Sequence, residues 1–218
     1  MNVPRIKICC ISSVQEAATA VSFGASAIGL VAKMPSGPGP IDDELIKTIA
    51  ASVPPSIATF LLTSEQTAED IIAHNRRTHT KTIQIVDELL GREYDAIRVA
   101  LPYVKLVQVI HVVGENSVDE AAEIAEHVDA ILLDSGNPTL EIKELGGTGR
   151  RHDWKLSRKI VETCGKPVFL AGGLNAANVR EAIDSVQPYG LDICSGVRTD
   201  GKLNPLKLEA FFAAASGK

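Results

Sequence analysis

Short apolar runs rich in Ile, Val and Leu alternate along the chain with segments whose apolar residues recur every three or four positions. A short apolar run bounded by turn residues fits a strand buried on both faces, and a recurrence near 3.6 fits a helix with one buried stripe. The runs predict strands near 5–11, 26–31, 56–62, 81–86, 104–110, 129–134, 167–171 and 190–194, each followed by a helical pattern. Strict alternation of the two element types selects a parallel α/β fold. Eight such units in 218 residues match a compact closed (β/α)8 or TIM barrel, with residues 1–218 as one domain. An open doubly wound sheet is the runner-up. Such a sheet more often carries its glycine fingerprint after the first strand, where this chain reads Cys10-Ile11-Ser12-Ser13.

Helix-end signals agree with this spacing. Ser13 with Glu16 forms a capping-box pattern, Val14, Ala17, Ala18 and Val21 then share a face, and Gly24 is placed to stop the helix. Ser117 with Glu120 repeats the box before Ala121, Ala122, Ile124 and Ala125, and Asp153 and Asn175 are the expected N-caps of the sixth and seventh helices.

Composition narrows the class of partner. With 45% hydrophobic and 22% charged residues, the chain can build one core without disulfides or a structural metal. A net charge of -5 argues against a nucleic-acid or anionic-membrane surface, either of which needs a clustered basic face. No apolar run reaches the roughly 18 residues of a membrane span, and the first residues lack a signal-peptide core. The expectation is a cytoplasmic protein with reduced thiols and a small-molecule partner, as monomer or homodimer. Cys9, Cys10, Cys164 and Cys194 contain no CxxC, so neither a zinc cage nor a disulfide framework is expected.

Chemistry concentrates at predicted strand ends. Alternation puts Lys7 and Cys9 on one face of the first strand and Ile6, Ile8 and Cys10 on the other. With the apolar set under helices, Lys7 and Cys9 point into the barrel, and the same count turns Ala130, Leu132 and Asp134 inward. A lone strand Cys is usually a small buried hydrophobe, and Cys10, Cys164 and Cys194 are read so. Cys9 and Asp134 together at the C-terminal mouth, where barrel enzymes carry their reacting groups, point to proton transfer. Three glycine-rich turns follow the sixth, seventh and eighth strands, at Gly146-Gly147-Thr148-Gly149, Gly172-Gly173 and Ser195-Gly196. Successive backbone N–H groups in such turns hold a phosphate dianion. His74, His79, His111, His127 and His152 have no metal-ligand spacing and are read as surface or loop residues.

At Lys7-Ile8-Cys9, Leu132-Leu133-Asp134, Gly146 to Gly149 with His152-Asp153-Trp154, Ala171 to Asn175 with Asn178-Val179, and Asp192 to Val197, the chain resembles phosphoribosylanthranilate isomerase of tryptophan biosynthesis over nearly its whole length. The resemblance implies a cofactor-free, metal-free Amadori rearrangement of N-(5'-phosphoribosyl)anthranilate to the 1-deoxyribulose aminoketose. It makes Asp134 the general acid and Cys9 the general base. Phosphate binding falls to Gly147, Thr148, Gly149, Gly172, Gly173, Ser195 and Gly196, and Lys7, Gln84 and Asp192 complete the substrate pocket.

Departures from the family pattern cluster where it grips the aromatic acid. The loop after the second strand reads Ser36-Gly37-Pro38-Gly39 without the family's Arg, whose charge-assisted bond to the anthranilate carboxylate is worth roughly 1.5–3 kcal/mol. The fourth strand ends Gln84-Ile85-Val86-Asp87. Cys10 replaces a Gly, Gln108 a Lys and Arg198 an acidic residue. Lys33 or Arg198 is a candidate replacement cation. The alternatives are an isomerase acting on another N-phosphoribosyl substrate, a histidine-pathway type of sugar-phosphate isomerase, whose first strand offers Asp where this chain has Cys9, and a phosphate-binding barrel without turnover.

Overall fold

In the computed structural model, which describes residues 4–136, 140, 143–146 and 149–217, eight parallel strands pair in sequence order and the last closes on the first. They are β1 (Arg5–Ile8), β2 (Ala27–Val31), β3 (Ala58–Thr63), β4 (Thr82–Ile85), β5 (Lys105–His111), β6 (Ala130–Asp134), β7 (Val168–Leu170) and β8 (Gly190–Ile193). The helices around them are α1 (Val14–Ser22), α2 (Asp43–Ser52), α3 (Ala68–Thr78), α4 (Tyr94–Ala100), α5 (Asn116–Ala125), α6 (Trp154–Thr163), α7 (Val179–Val186) and α8 (Pro205–Ser216). A two-stranded hairpin, β9 (Arg198–Thr199) with β10 (Lys202–Leu203), precedes α8. The closed barrel is the expected architecture, and no described helix is long and apolar enough to cross a membrane.

Strand alternation sorts the core into two layers. Ile6, Ile8, Ile28, Leu30, Ile131 and Leu133 pack outward beneath the helices. Cys9, Ala27, Val31, Phe60, Leu62, Ala130 and Leu132 fill the barrel. Lys7 lies in the same interior, fully buried. β1 is shorter than the expected 5–11 because Cys10 adopts a left-handed conformation, φ 60, which ends the extended run.

Helix ends follow local hydrogen bonding, with several departures from expectation. Ser13 accepts from the Glu16 N–H as a capping box requires, but the Glu16 carboxylate reaches the Ser12 N–H instead of its own cap. Gly24, φ 104, follows the end of α1 as expected. The buried residues of α1 are Ala17 and Ala20, and Val14 and Ala18 are exposed. Asp153 caps α6. Ser117 does not cap α5. Its hydroxyl accepts from the Val113 N–H and donates to the His111 carbonyl, and the helix begins one residue earlier. Asn175 does not cap α7 either, because it accepts from the Ala177 N–H in a preceding turn and the helix starts after Asn178.

Arg198 fastens the first βα unit to the last. Its guanidinium donates to both Glu16 oxygens at 3.0 Å, to the Gly201 carbonyl at 2.8 Å, and to the Cys9 and Cys10 carbonyls at 3.3 and 2.5 Å. Burial opposes the charge of Glu16, yet the Arg198 bond and those from the Leu203 and Ser12 N–H groups hold its carboxyl below the ordinary range. Removing one member of a buried pair leaves the other charge uncompensated. Arg198→Ala is therefore expected to lower unfolding free energy by about 3–5 kcal/mol in urea titrations.

Candidate active site

At the C-terminal ends of the strands a cleft of ≈ 690 Å³, counting the space open to solvent, is lined by Cys9 after β1, Gln84 of β4, Asp134 of β6 and Asp192 of β8. Gly149, Gly172, Gly173 and Ser195 line the same cleft. The two candidate reacting groups, Cys9 and Asp134, and three phosphate-type turns thus share one concavity, the place where barrels of this kind keep their chemistry.

Lys7 does not line the cleft; it lies one layer below. Its ammonium donates to Asp192 Oδ2 at 2.8 Å, stands 3.7 Å from Cys9 Sγ, and sits 5.1 Å from the Phe60 ring centre. Burial opposes this charge, but Asp192 and then Cys9 hold Lys7 above the ordinary lysine value. The other Asp192 oxygen, Oδ1, and Gln84 Oε1 are buried with no hydrogen-bond partner among the described residues. Acceptors held this way fit hydroxyl donors of a bound sugar.

Asp134 closes β6 opposite His111 of β5. Burial pushes its carboxyl up to about 6; the Ser135 N–H, donating to Oδ1 at 2.7 Å, lowers it, Asp192 raises it and Lys7 lowers it. Gly146, φ 138, passes so close that an added Cβ would stand 2.6 Å from Asp134 Oδ2. The backbone therefore walls in the carboxyl without a side chain.

The glycine turns meet one another. A Cβ on Gly173 would lie 2.8 Å from the Gly149 carbonyl oxygen, and one on Gly149 would lie 3.9 Å from Ser195 Oγ. Gly149, Gly172 and Gly173 have φ of 68, 85 and 63, a region favouring glycine. Gly196 does not line the cleft; it packs against the Leu174 carbonyl. Gly147 and Thr148 lie outside the described residues.

Several sequence expectations change here. Cys10 does not join the outer face: its left-handed backbone turns its side chain into the cleft wall. Cys194 is likewise a cleft residue, with its sulfur 2.6 Å from that of Cys10. Cys164 packs in the outer core as expected. His74 and His111 are buried rather than on the surface. His74 bridges Thr63 Oγ1 at 2.9 Å and Asp43 Oδ1 at 3.1 Å, and His111 Nε2 meets the Val86 carbonyl oxygen at 3.1 Å. Arg198 is consumed by its structural bonds, and neither it nor Lys33 lines the cleft. No three described His, Cys, Asp or Glu side chains are grouped to hold a metal ion.

One residue of the site escaped notice in the sequence. Gly29 of β2 faces β1, and a Cβ there would stand 2.8 Å from Cys9 Sγ and 3.1 Å from Lys7 Nζ. Its missing side chain is the space in which the sulfur and the ammonium sit. A glycine inside a strand is the available signal, since it marks a close approach.

Residues 6–214 match the family model described as N-(5'phosphoribosyl)anthranilate (PRA) isomerase. N-(5'-phosphoribosyl)anthranilate isomerase 2 of Methanosarcina mazei is 36% identical over 89% of this chain and 85% of its own. The crystal structure of phosphoribosyl anthranilate isomerase from Thermotoga maritima covers 99% of this chain and 100% of its own, at 28% identity and TM-score 0.82. A phosphoribosyl anthranilate isomerase solved with reduced 1-(o-carboxyphenylamino)-1-deoxyribulose 5-phosphate covers 99% of this chain and 100% of its own, at 26% identity and TM-score 0.79. With the barrel, the cleft and these relatives in agreement, the chain belongs to the N-(5'-phosphoribosyl)anthranilate isomerase family.

Proposed function

We propose that this chain converts N-(5'-phosphoribosyl)anthranilate to the 1-deoxyribulose 5-phosphate aminoketose, the isomerisation of tryptophan biosynthesis. The observation that carries the reading is the placement of Cys9, Asp134 and three glycine turns around one cleft. Asp134 protonates the furanose ring oxygen, and the ring opens to an iminium. Cys9 takes the C2' proton to give an enolamine, which tautomerises to the ketone, so no atom is gained or lost. Burial keeps a proton on Asp134 well above the pH at which a free carboxyl loses it. The Lys7 ammonium stands 3.7 Å from the Cys9 sulfur.

The backbone N–H groups of Gly149, Gly172, Gly173 and Ser195, with Gly196 behind them, receive the phosphate. Asp192 Oδ1 and Gln84 Oε1 accept from ribose hydroxyls. The aromatic ring lies against Met34, Leu62 and Leu145, which also line the cleft. The monomer, without a partner's residues, holds every group these steps use.

The direct test follows the loss of substrate fluorescence. Wild-type protein is expected to turn over, and Cys9→Ser or Asp134→Asn to lower kcat by about 10²–10⁴. Tight binding with no wild-type turnover would instead identify a phosphate-ligand barrel. Because the acid must be protonated, kcat/KM is expected to decline as pH rises past about 6.

The same carboxyl shapes stability. Titrating near 6 in the fold and near 3.8 outside it, Asp134 holds a proton that the unfolded chain has already released, so its contribution weakens as pH rises between those values. At pH 7 the cost is on the order of 3 kcal/mol. Asp134→Asn is therefore expected to raise unfolding free energy at pH 7 while removing turnover, with the gain vanishing below pH 4 in denaturant titrations.

Gly29→Ala drives a methyl into the sulfur and the ammonium. The expected outcome is about 1–3 kcal/mol of lost stability from overpacking. A displaced base should also lower kcat about tenfold to a hundredfold, with KM little changed in steady-state assays.

A further inference from the structure

Two thiols the isomerase reading leaves unused face each other in the cleft wall. Cys10 follows β1 and Cys194 follows β8, strands that pair directly, and their sulfurs stand 2.6 Å apart. Both residues line the cleft, where a small oxidant can reach them. We propose that Cys10 and Cys194 are an oxidisable pair, closed by a peroxide into a reversible disulfide that leaves Cys9 a free thiol.

The choice of partners follows from geometry. A disulfide needs Cα atoms about 4.4–6.8 Å apart, and consecutive residues are held at about 3.8 Å, so Cys9 and Cys10 are poorly placed to join. Cys9 directs its sulfur to the opposite neighbour, β2, where it fills the space over Gly29 and meets the Lys7 ammonium. Cys164 is in the outer helical layer. Of the four cysteines, Cys9 also meets Cys10 through its side chain, but adjacency in the chain disfavours that bond, which leaves Cys194 as the partner of Cys10.

Their environments divide the labour. Cys194 is held below the ordinary thiol range, first by hydrogen bonding with Cys10 and, against the opposing effect of burial, by the Arg198 charge. Cys10 is pushed up first by the same contact with Cys194, then by its contact with Cys9 and by burial, and so keeps its proton. The Cys194 thiolate attacks one peroxide oxygen, the O–O bond breaks, and a sulfenic acid and hydroxide form. The Cys10 sulfur then attacks the sulfenic sulfur, the S–O bond breaks and the oxygen leaves as water with the protons released. Two thiols and one hydrogen peroxide give one disulfide and two waters; a dithiol reductant reverses the oxidation.

The experiment is mass mapping, whose readout does not depend on the reaction catalysed. Purified reduced protein is treated with hydrogen peroxide, denatured, alkylated and digested without reductant. The expected result is a Cys10–Cys194 cross-linked peptide, with Cys9 and Cys164 alkylated and an intact mass lower by two hydrogens, all restored by dithiothreitol. Cys164→Ser should form the link as the wild type does, and Cys10→Gly, a substitution the left-handed backbone accepts, should abolish it. Full alkylation of all four thiols after peroxide, a link that includes Cys9, or a link between two chains would overturn the proposal.

Discussion

A single ammonium buried at the centre of the barrel sets the terms for the groups around it. Lys7 has no exposed surface, and an isolated charge there would cost several kcal/mol in lost hydration. Asp192 meets it at 2.8 Å, which fixes a carboxylate at the end of β8 with its second oxygen left over. The same cation lies beside the Cys9 sulfur and within the field of Asp134. Gly29 leaves room for both the cation and the sulfur. The floor of the cleft is thus one connected electrostatic unit drawn from β1, β2, β6 and β8.

Strain of a different sort sits in the wall. Asp134 is surrounded by barrel and by the Gly146 backbone, and its ionised form is disfavoured by that enclosure. A carboxyl that holds a proton near neutral pH is useful as an acid and harmful as a neighbour in the folded core. Cys10 has a comparable character, since a non-glycine residue at φ 60 is uncommon and costs backbone energy. Both features sit in the cleft.

How far the sequence could be read depended on whether a signal was local. The inward pair Lys7 and Cys9 followed from alternation along four residues, and Asp134 from the same count on β6. That count failed at Cys10, because alternation holds only while the backbone stays extended. Ser117 shows a similar limit: its position fits a cap, but nearby Val113 and His111 backbone groups compete for its hydroxyl and win. The surface reading of His74 fails because its burial depends on α2 and α3 packing together, which supplies Asp43 from 31 residues away. The role of Gly29 is not local, since it lies across the sheet, in the sulfur that follows a neighbouring strand. The eight-fold alternation of elements is plain because it is carried by the spacing of apolar positions along the whole chain.

The Arg198 clamp has a bearing on how such a chain is made. Three of its partners, Glu16 and the carbonyls of Cys9 and Cys10, belong to the first βα unit, whereas the guanidinium follows the eighth strand. During synthesis β1 has β2 to pair with early, but its other edge stays open until β8 and the β9–β10 hairpin have left the ribosome. Closure of the ring therefore waits for the last of its eight strands. Until then that edge is an unpaired strand of the sort chaperones shield.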